Sequence, residues 1–308
     1  MQGRVIKSTG SWYQVRLDDG TIISCRIKGK LRLIDRRTTT PVNIGDLVAV
    51  NMDDGDATIQ EVLPRSNYII RQSARNRTAE HIIAANIDQA FIMATIAMPR
   101  TSTGFIDRFL VTATAYHIPS IVLFNKTDLY TDSEQEQVAL LSAIYAKAGF
   151  TVVATSAEKN LGVEQVRALM KGKISLLAGH SGVGKSTLIN KIDPALQLKT
   201  AAVTSYNQKG RHTTTFAEMF ELPFGGFIID TPGIKEFGVL DFEATEVAQY
   251  FPEMEKHMHA CRFNNCLHIN EPGCAVKVAL ETGDIAMSRY ENYLSIIHEL
   301  NTDEKIYD

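Results

Sequence analysis

The stretch Gly179-His180-Ser181-Gly182-Val183-Gly184-Lys185-Ser186-Thr187 constrains the chain most, because it fits G-x-x-x-x-G-K-[ST] directly after the apolar run Ser175-Leu176-Leu177-Ala178. Its glycines let successive backbone N–H groups wrap phosphates, Lys185 neutralises the β and γ phosphates, and Ser186 ligates magnesium. A helix starting near Lys185 aims its positive end at the same charges. Such a loop needs a strand before it and a helix after it, and the surrounding sequence repeats that unit. Apolar runs at 87–96, 119–124, 151–154, 174–178 and 226–229 alternate with helical patterns at about 105–117, 133–148, 162–171 and 185–192. This alternation predicts a parallel sheet covered by helices.

Base specificity is expected from Asn125-Lys126-Thr127-Asp128, which ends the apolar run Ile121-Val122-Leu123-Phe124. The Asp128 carboxylate can accept hydrogen bonds from N1–H and the exocyclic amine of guanine, and adenine offers no such donor pair. A buried polar group left unpaired by the wrong base discriminates by roughly 10⁴. Thr155-Ser156-Ala157, after Val152-Val153-Ala154, supplies small residues whose backbone N–H groups would support the base. A P-loop ATPase or kinase is disfavoured on these grounds.

Asp230-Thr231-Pro232-Gly233 follows Phe227-Ile228-Ile229; Asp230 is placed to hold magnesium through water, and the Gly233 N–H to sense the γ phosphate. Between this element and the loop lies Gly210-Arg211-His212-Thr213-Thr214-Thr215, where a mobile switch belongs. Thr214 is the expected magnesium ligand there; an edge strand is the competing explanation of a threonine run. Ras-like GTPases place a water-orienting Gln after Asp-x-x-Gly, but this chain has Ile234. Unaided turnover should therefore be slow, nearer ~10⁻³ s⁻¹ than 1 s⁻¹. His212 is the candidate for orienting water once a partner orders the switch, or else it only packs against that partner.

The guanine elements at 125–128 and 155–157 precede the phosphate loop, whereas Ras-like GTPases have the loop first. With this circularly permuted order the chain resembles the RsgA family, the ribosome-small-subunit-dependent GTPases. The resemblance spans essentially all of it, and Ala84-Ala85-Asn86-Ile87-Asp88-Gln89 and the segment 210–215 also look like that family's. It implies a β-barrel, a permuted GTPase and a C-terminal zinc module, with a role in late maturation of the small subunit. Permutation also sends the chain after Asp-x-x-Gly outward, so GTP binding is expected to reposition residues 241–308.

Residues 1 to about 66 alternate apolar and polar positions between turns at Asp18-Asp19-Gly20 and Asp53-Asp54-Gly55-Asp56, which predicts a barrel of about five strands resembling an OB-fold. Arg4, Lys7, Arg16, Arg26, Lys28, Lys30, Arg32, Arg36 and Arg37 make it basic, and Trp12 and Tyr13 are candidates to stack on RNA bases. A merely solvated basic face is the alternative. The opposite end is acidic: residues 241–308 hold five Lys or Arg against thirteen Asp or Glu, so the formal net charge of -3 hides two opposed ends.

Three of the four cysteines fall within fourteen positions. Cys261-x₄-Cys266-x-His268-x₅-Cys274 offers three thiolates and an imidazole, a complete set for one structural zinc, with His257 or His259 as substitutes for His268. Arg262, Asn264 and Asn265 inside that loop either face RNA or are solvated turn residues, and Cys25 is expected in the barrel core. No apolar run reaches the roughly 18 residues of a membrane span and the N-terminus lacks the apolar stretch of a signal peptide, so a cytoplasmic, membrane-free protein is expected, and separately a monomer.

Three domains follow: a barrel over 1–66, the GTPase over 67–240 and a mostly helical zinc-binding module over 241–308. The expected function is GTP hydrolysis by a protein that grips small-subunit rRNA, with GTP state controlling attachment and release. The alternative is a nucleotide-gated RNA-binding adaptor whose hydrolysis is incidental.

Overall fold

The computed structural model describes residues 1–27, 41–53, 56–72, 80–198, 218–230 and 242–304. Strands β1 (Gln2–Ser8), β2 (Tyr13–Leu17), β3 (Ile22–Ile27), β4 (Leu47–Asp53) and β5 (Asp56–Val62) pair in the order β1-β2-β3-β5-β4. Strand β4 returns to β1, so the expected five-stranded barrel closes. Strand alternation turns Val5, Tyr13, Val15, Cys25, Val48 and Ile59 into its core. Tyr13 is only 1% exposed and so belongs to this core, which corrects its assignment as a stacking platform. Trp12, one residue earlier, is 43% exposed, and the Arg26 guanidinium lies 4.2 Å from its ring centroid.

A hairpin not anticipated from the sequence follows, β6 (Tyr68–Gln72) with β7 (Glu80–Ala85). Its base is tied by amides: Asn67 exchanges hydrogen bonds with the Ile87 backbone, and Asn86 donates to the Gly45 carbonyl of the barrel at 3.0 Å. Gly45 (φ +87) passes so close to Ala85 that a Cβ would sit 2.0 Å from its carbonyl oxygen, so only glycine fits.

The rest of the sheet comprises β8 (Gln89–Ala94), β9 (Ser120–Phe124), β10 (Thr151–Ala154), β11 (Ile174–Ala178), β12 (Glu218–Glu221) and β13 (Phe227–Asp230). Between them run α1 (Thr103–Ala115), α2 (Asp132–Lys147), α3 (Val163–Met170) and α4 (Lys185–Ile192), each within two residues of its expected bounds. The parallel order is β10-β9-β8-β11-β13. Strands β8 and β11 are buried along their whole length, which explains their unbroken apolar character. Ile106, Phe109 and Leu110 of α1 and Val138, Leu141 and Tyr145 of α2 cover one face. Val163, Val166 and Met170 of α3 and Leu188, Ile189 and Ile192 of α4 cover the other.

From β8 the chain winds through β9 and β10 to one side of the sheet, and from β11 it proceeds to β13 on the other. The crevice at the C-terminal ends of β8 and β11 is therefore a topological switch point, where α/β sheets bind ligands.

The bridging strand β12, not expected from the sequence, pairs antiparallel with β13 and also with β1 of the barrel, giving one eleven-stranded sheet. Lys7 reaches Glu218 at 2.8 Å and Arg16 grips Glu221 through two hydrogen bonds, 2.9 and 2.7 Å. Arg4 donates to the Gly45 carbonyl. Three basic residues expected on an RNA face are thus engaged within the protein. Lys28, Lys30, Arg32, Arg36 and Arg37 lie outside the described residues.

Helices α5 (Pro252–Met258), α6 (Ala275–Glu281) and α7 (Met287–Glu304) form the C-terminal part around Phe251, Met254, Val276, Tyr293 and Ile297. Val111 of α1 belongs to the same core. The docking centre is Arg289, 2% exposed, which binds Asp107 of α1 and grips Glu253 of α5 through two hydrogen bonds. Asn292 and Tyr145 donate to the same Asp107 carboxylate at 2.6 and 2.9 Å, which satisfies the buried charges.

Candidate nucleotide site and metal centre

The phosphate loop leaves β11 at the switch point. Gly179 (φ +142) lies against β8, where a Cβ would come within 2.4 Å of the Met93 carbonyl oxygen, so no other residue can start the loop. The Lys185 ammonium arches back over the loop to the carbonyls of Gly179 and His180, at 2.6 and 2.9 Å. Helix α4 starts at Lys185 with Gly184 as its cap, no side-chain cap and no acidic residue in its first turn, which leaves its positive end for an anion. Ser186 and Thr187 stand half-buried in that turn, and Ser181 and Gly182 are exposed.

Asn125 is 2% exposed and joins the three expected elements. Its Nδ2 donates to the Val183 carbonyl at 2.8 Å, and its Oδ1 accepts from the Thr155 hydroxyl and the Ala157 N–H at 3.0 and 3.1 Å. Asn125 is therefore a clamp between the phosphate loop and the ends of β9 and β10. Thr127 bonds the Thr155 carbonyl through its backbone N–H and its hydroxyl. Ser156 is buried, and its Oγ accepts from the Lys159 N–H at 3.0 Å.

Lys126 adopts a left-handed conformation (φ +65) and donates to the Met98 carbonyl at 2.7 Å. Burial pushes its ammonium pKa down, against the opposing effect of Asp128. Asp128 itself is half-buried, and no described residue donates a hydrogen bond to its carboxylate. It is thus the acidic group of the tetrapeptide that a base can use.

Two contributors escaped the sequence reasoning. Tyr130 donates to the Asn125 carbonyl and accepts from the Ile96 N–H, fixing the tetrapeptide against the loop after β8. An aromatic hydroxyl two residues past Asp128 was the available signal. The other is Phe105 of α1, stacked on His180; nothing in the linear spacing marks it.

Asp230 ends β13 beside β11, in register with Leu177, which puts the backbone of an acidic residue next to the root of the loop. His212, Thr214, Gly233 and Ile234 lie outside the described residues.

Cys261, Cys266, His268 and Cys274 converge with all four ligand atoms within 4.8 Å of one another. Cys261 Sγ lies 3.6 Å from His268 Nδ1 and 4.0 Å from Cys274 Sγ, and His268 Nδ1 lies 3.4 Å from Cys274 Sγ. A tetrahedral zinc with ordinary bond lengths requires roughly 3.8 Å between sulfurs and 3.6 Å from sulfur to nitrogen, so the donor set fits. Burial pushes the Cys266 thiol up to about 12 and depresses the His268 pKa. A cation at their centre is what would favour the thiolates. His268, not His257 or His259, completes the cluster; His259 is instead exposed beside Glu255 at 3.5 Å. Arg262, Asn264 and Asn265 are exposed on the loop, with the Arg262 guanidinium 5.4 Å from the Phe263 ring centroid.

The RsgA GTPase family matches residues 62–240 and the RsgA N-terminal domain residues 2–59. The small ribosomal subunit biogenesis GTPase RsgA of Christiangramia forsetii is 50% identical over 301 residues, 96% of each chain. Its namesake from Bacteroides fragilis is 49% identical over 300 residues, 97% of each. Among solved structures, YjeQ from Thermotoga maritima superposes with a TM-score of 0.81 at 36% identity, covering 97% of this chain and 98% of the other. YloQ, a circularly permuted GTPase, gives 0.76 at 28% identity, covering 98% and 95%.

Proposed function

The chain belongs to the RsgA family of GTPases, and from that premise we propose that it hydrolyses GTP in the biogenesis of the small ribosomal subunit, with nucleotide state controlling its attachment to that subunit. The observation that carries this is the Asn125 clamp, which brings the guanine tetrapeptide, the 155–157 element and the phosphate loop together at one switch point.

The reaction is phosphoryl transfer from GTP to water. Loop amides and the α4 N-terminus stabilise the phosphate charge, and Lys185 would exchange its carbonyl partners for the β and γ phosphates. Asp128 reads guanine, with Lys126, Thr127, Thr155, Ser156 and Ala157 framing the base. Ser186, Thr214 and Asp230 would hold the magnesium, which supplies neutralisation of the triphosphate charge. Gly233 would sense the γ phosphate, and His212 would orient the water once the subunit orders its segment. Unchanged subunit-stimulated turnover in His212→Ala would remove that last role.

Cys261, Cys266, His268 and Cys274 would hold one zinc, which supplies structural cross-linking; four protein ligands leave no position for a substrate. The rRNA grip is ascribed to exposed Trp12 with Arg26 on the barrel and to the Arg262–Asn265 loop of the metal module. The boundaries 1–66, 67–240 and 241–308 describe this division of labour. A cytoplasmic monomer fits such work, and among the described residues no helix is long and apolar enough to cross a membrane.

The adaptor reading differs in one measurable respect. GTPase rates with and without purified small subunits separate them: strong stimulation supports the enzyme, and nucleotide-dependent binding without stimulation supports the adaptor. Insensitivity to subunits in both rate and binding rejects both.

A further inference from the structure

We propose that Phe105 is a positioning residue for the phosphate loop, acting through an aromatic stack on His180. The two rings lie 3.8 Å apart between centroids at an interplanar angle of 26°. Phe105 sits in the first turn of α1, after the cap in which the Ser102 hydroxyl accepts from the Phe105 N–H at 3.2 Å. Its other side packs on the core between α1 and the sheet. The ring thus projects from a rigid element and is not itself part of the loop. This inference rests on the nucleotide-site assignment above.

The loop has two halves, held differently. Its second half is fixed from β9, because Asn125 binds the Val183 carbonyl and Val183 is fully buried. In its first half Gly179 and Gly182 have no side chains and Ser181 is exposed, so His180 is the side chain that can anchor it. Lys185 also holds this half, through the Gly179 and His180 carbonyls. That hold conflicts with the task of the ammonium, which must turn towards phosphate when nucleotide binds. As Lys185 turns, the stack keeps the 179–181 amides facing the phosphates. Aromatic pairs contribute enough for roughly a two- to tenfold effect on nucleotide affinity.

The test uses the full-length protein and a fluorescent N-methylanthraniloyl GDP. Phe105→Leu keeps an apolar side chain on the core but removes the stack. It is expected to bind two- to tenfold more weakly, through faster dissociation, with a melting temperature within about 2 °C of wild type. Phe105→Tyr should restore binding. His180→Ala should show the same loss, and the double variant should show no further loss. Wild-type affinity in Phe105→Leu or His180→Ala, or additive losses in the double variant, overturns the inference. If Phe105→Leu fails to fold, Phe105→Met, which keeps apolar packing on the core without a ring, takes its place in the same cycle with His180→Ala, and wild-type affinity in it overturns the inference. Failure of the wild-type protein to bind the probe would instead reject the nucleotide-site assignment.

Discussion

Asn125 and Asp128 stand three residues apart in one tetrapeptide and do different work. Asn125→Ala would take from the Ala157 N–H and the Val183 carbonyl the buried partner that Asn125 gives them, and would leave the Thr155 hydroxyl only the Phe124 carbonyl at 3.5 Å, costing about 1–3 kcal/mol of stability. Nucleotide affinity should fall with it whatever the base, since the phosphate loop loses its tie to β9. Asp128 makes no such internal bonds, so Asp128→Asn should leave the denaturant midpoint unchanged. Its amide would donate to a 2-oxo group where the carboxylate accepts from an amine, moving preference from GTP towards xanthosine triphosphate by on the order of 10²-fold or more. Competition binding with the two nucleotides, set beside the unfolding curves, checks both expectations. The proposed role of Asp128 follows from residue type and spacing. The clamp of Asn125 was not legible in them, because its partners lie 30 or more residues away and only sheet pairing brings them within reach.

Two elements depend on charges placed under cover. Arg289 joins α7 to α1 and α5, and Arg289→Met would leave Asp107 and Glu253 buried without a counter-charge, costing about 3–5 kcal/mol by denaturant unfolding. A change below about 1 kcal/mol would mean that water enters the gap. In the metal loop, burial raises the Glu271 pKa, but its own backbone N–H and those of Leu267, Ile269 and Asn270 outweigh it and hold the carboxyl below its ordinary range. A folded pKa below the unfolded one gives stability that is present above the ordinary carboxylate range and is lost as pH falls through and below it. Melts from pH 7 to pH 3 should therefore converge for wild type and Glu271→Gln on the acid side, with wild type the more stable at neutral pH. Parallel curves would show that the carboxylate contributes nothing. Neither charge group could be read from the chain, since Arg289 and Glu271 look like solvated residues in an acidic helical stretch.

Across the whole molecule, one eleven-stranded sheet carries the barrel and the nucleotide site, and α1 carries the phosphate-loop stack at one point and the C-terminal dock two residues later. Nucleotide-dependent hydrogen exchange is therefore expected in 252–304: protection should differ between GDP and a non-hydrolysable GTP analogue, and identical protection would uncouple that part from the switch. The basic barrel shows how far composition reaches. Its charge was countable, but Lys7 and Arg16 face Glu218 and Glu221 of β12, so they fasten the barrel to the sheet. By itself the sequence determined the parallel sheet, the permuted motif order and the Cys₃His donor set, because each depends on local periodicity or on residue types at short spacing. Tertiary structure alone decided that His257 and His259 do not replace His268, that Tyr13 is core, that Asn125 is a clamp and that Phe105 reaches the loop. Those outcomes depend on which distant surfaces meet, and short-range pattern carries no record of that.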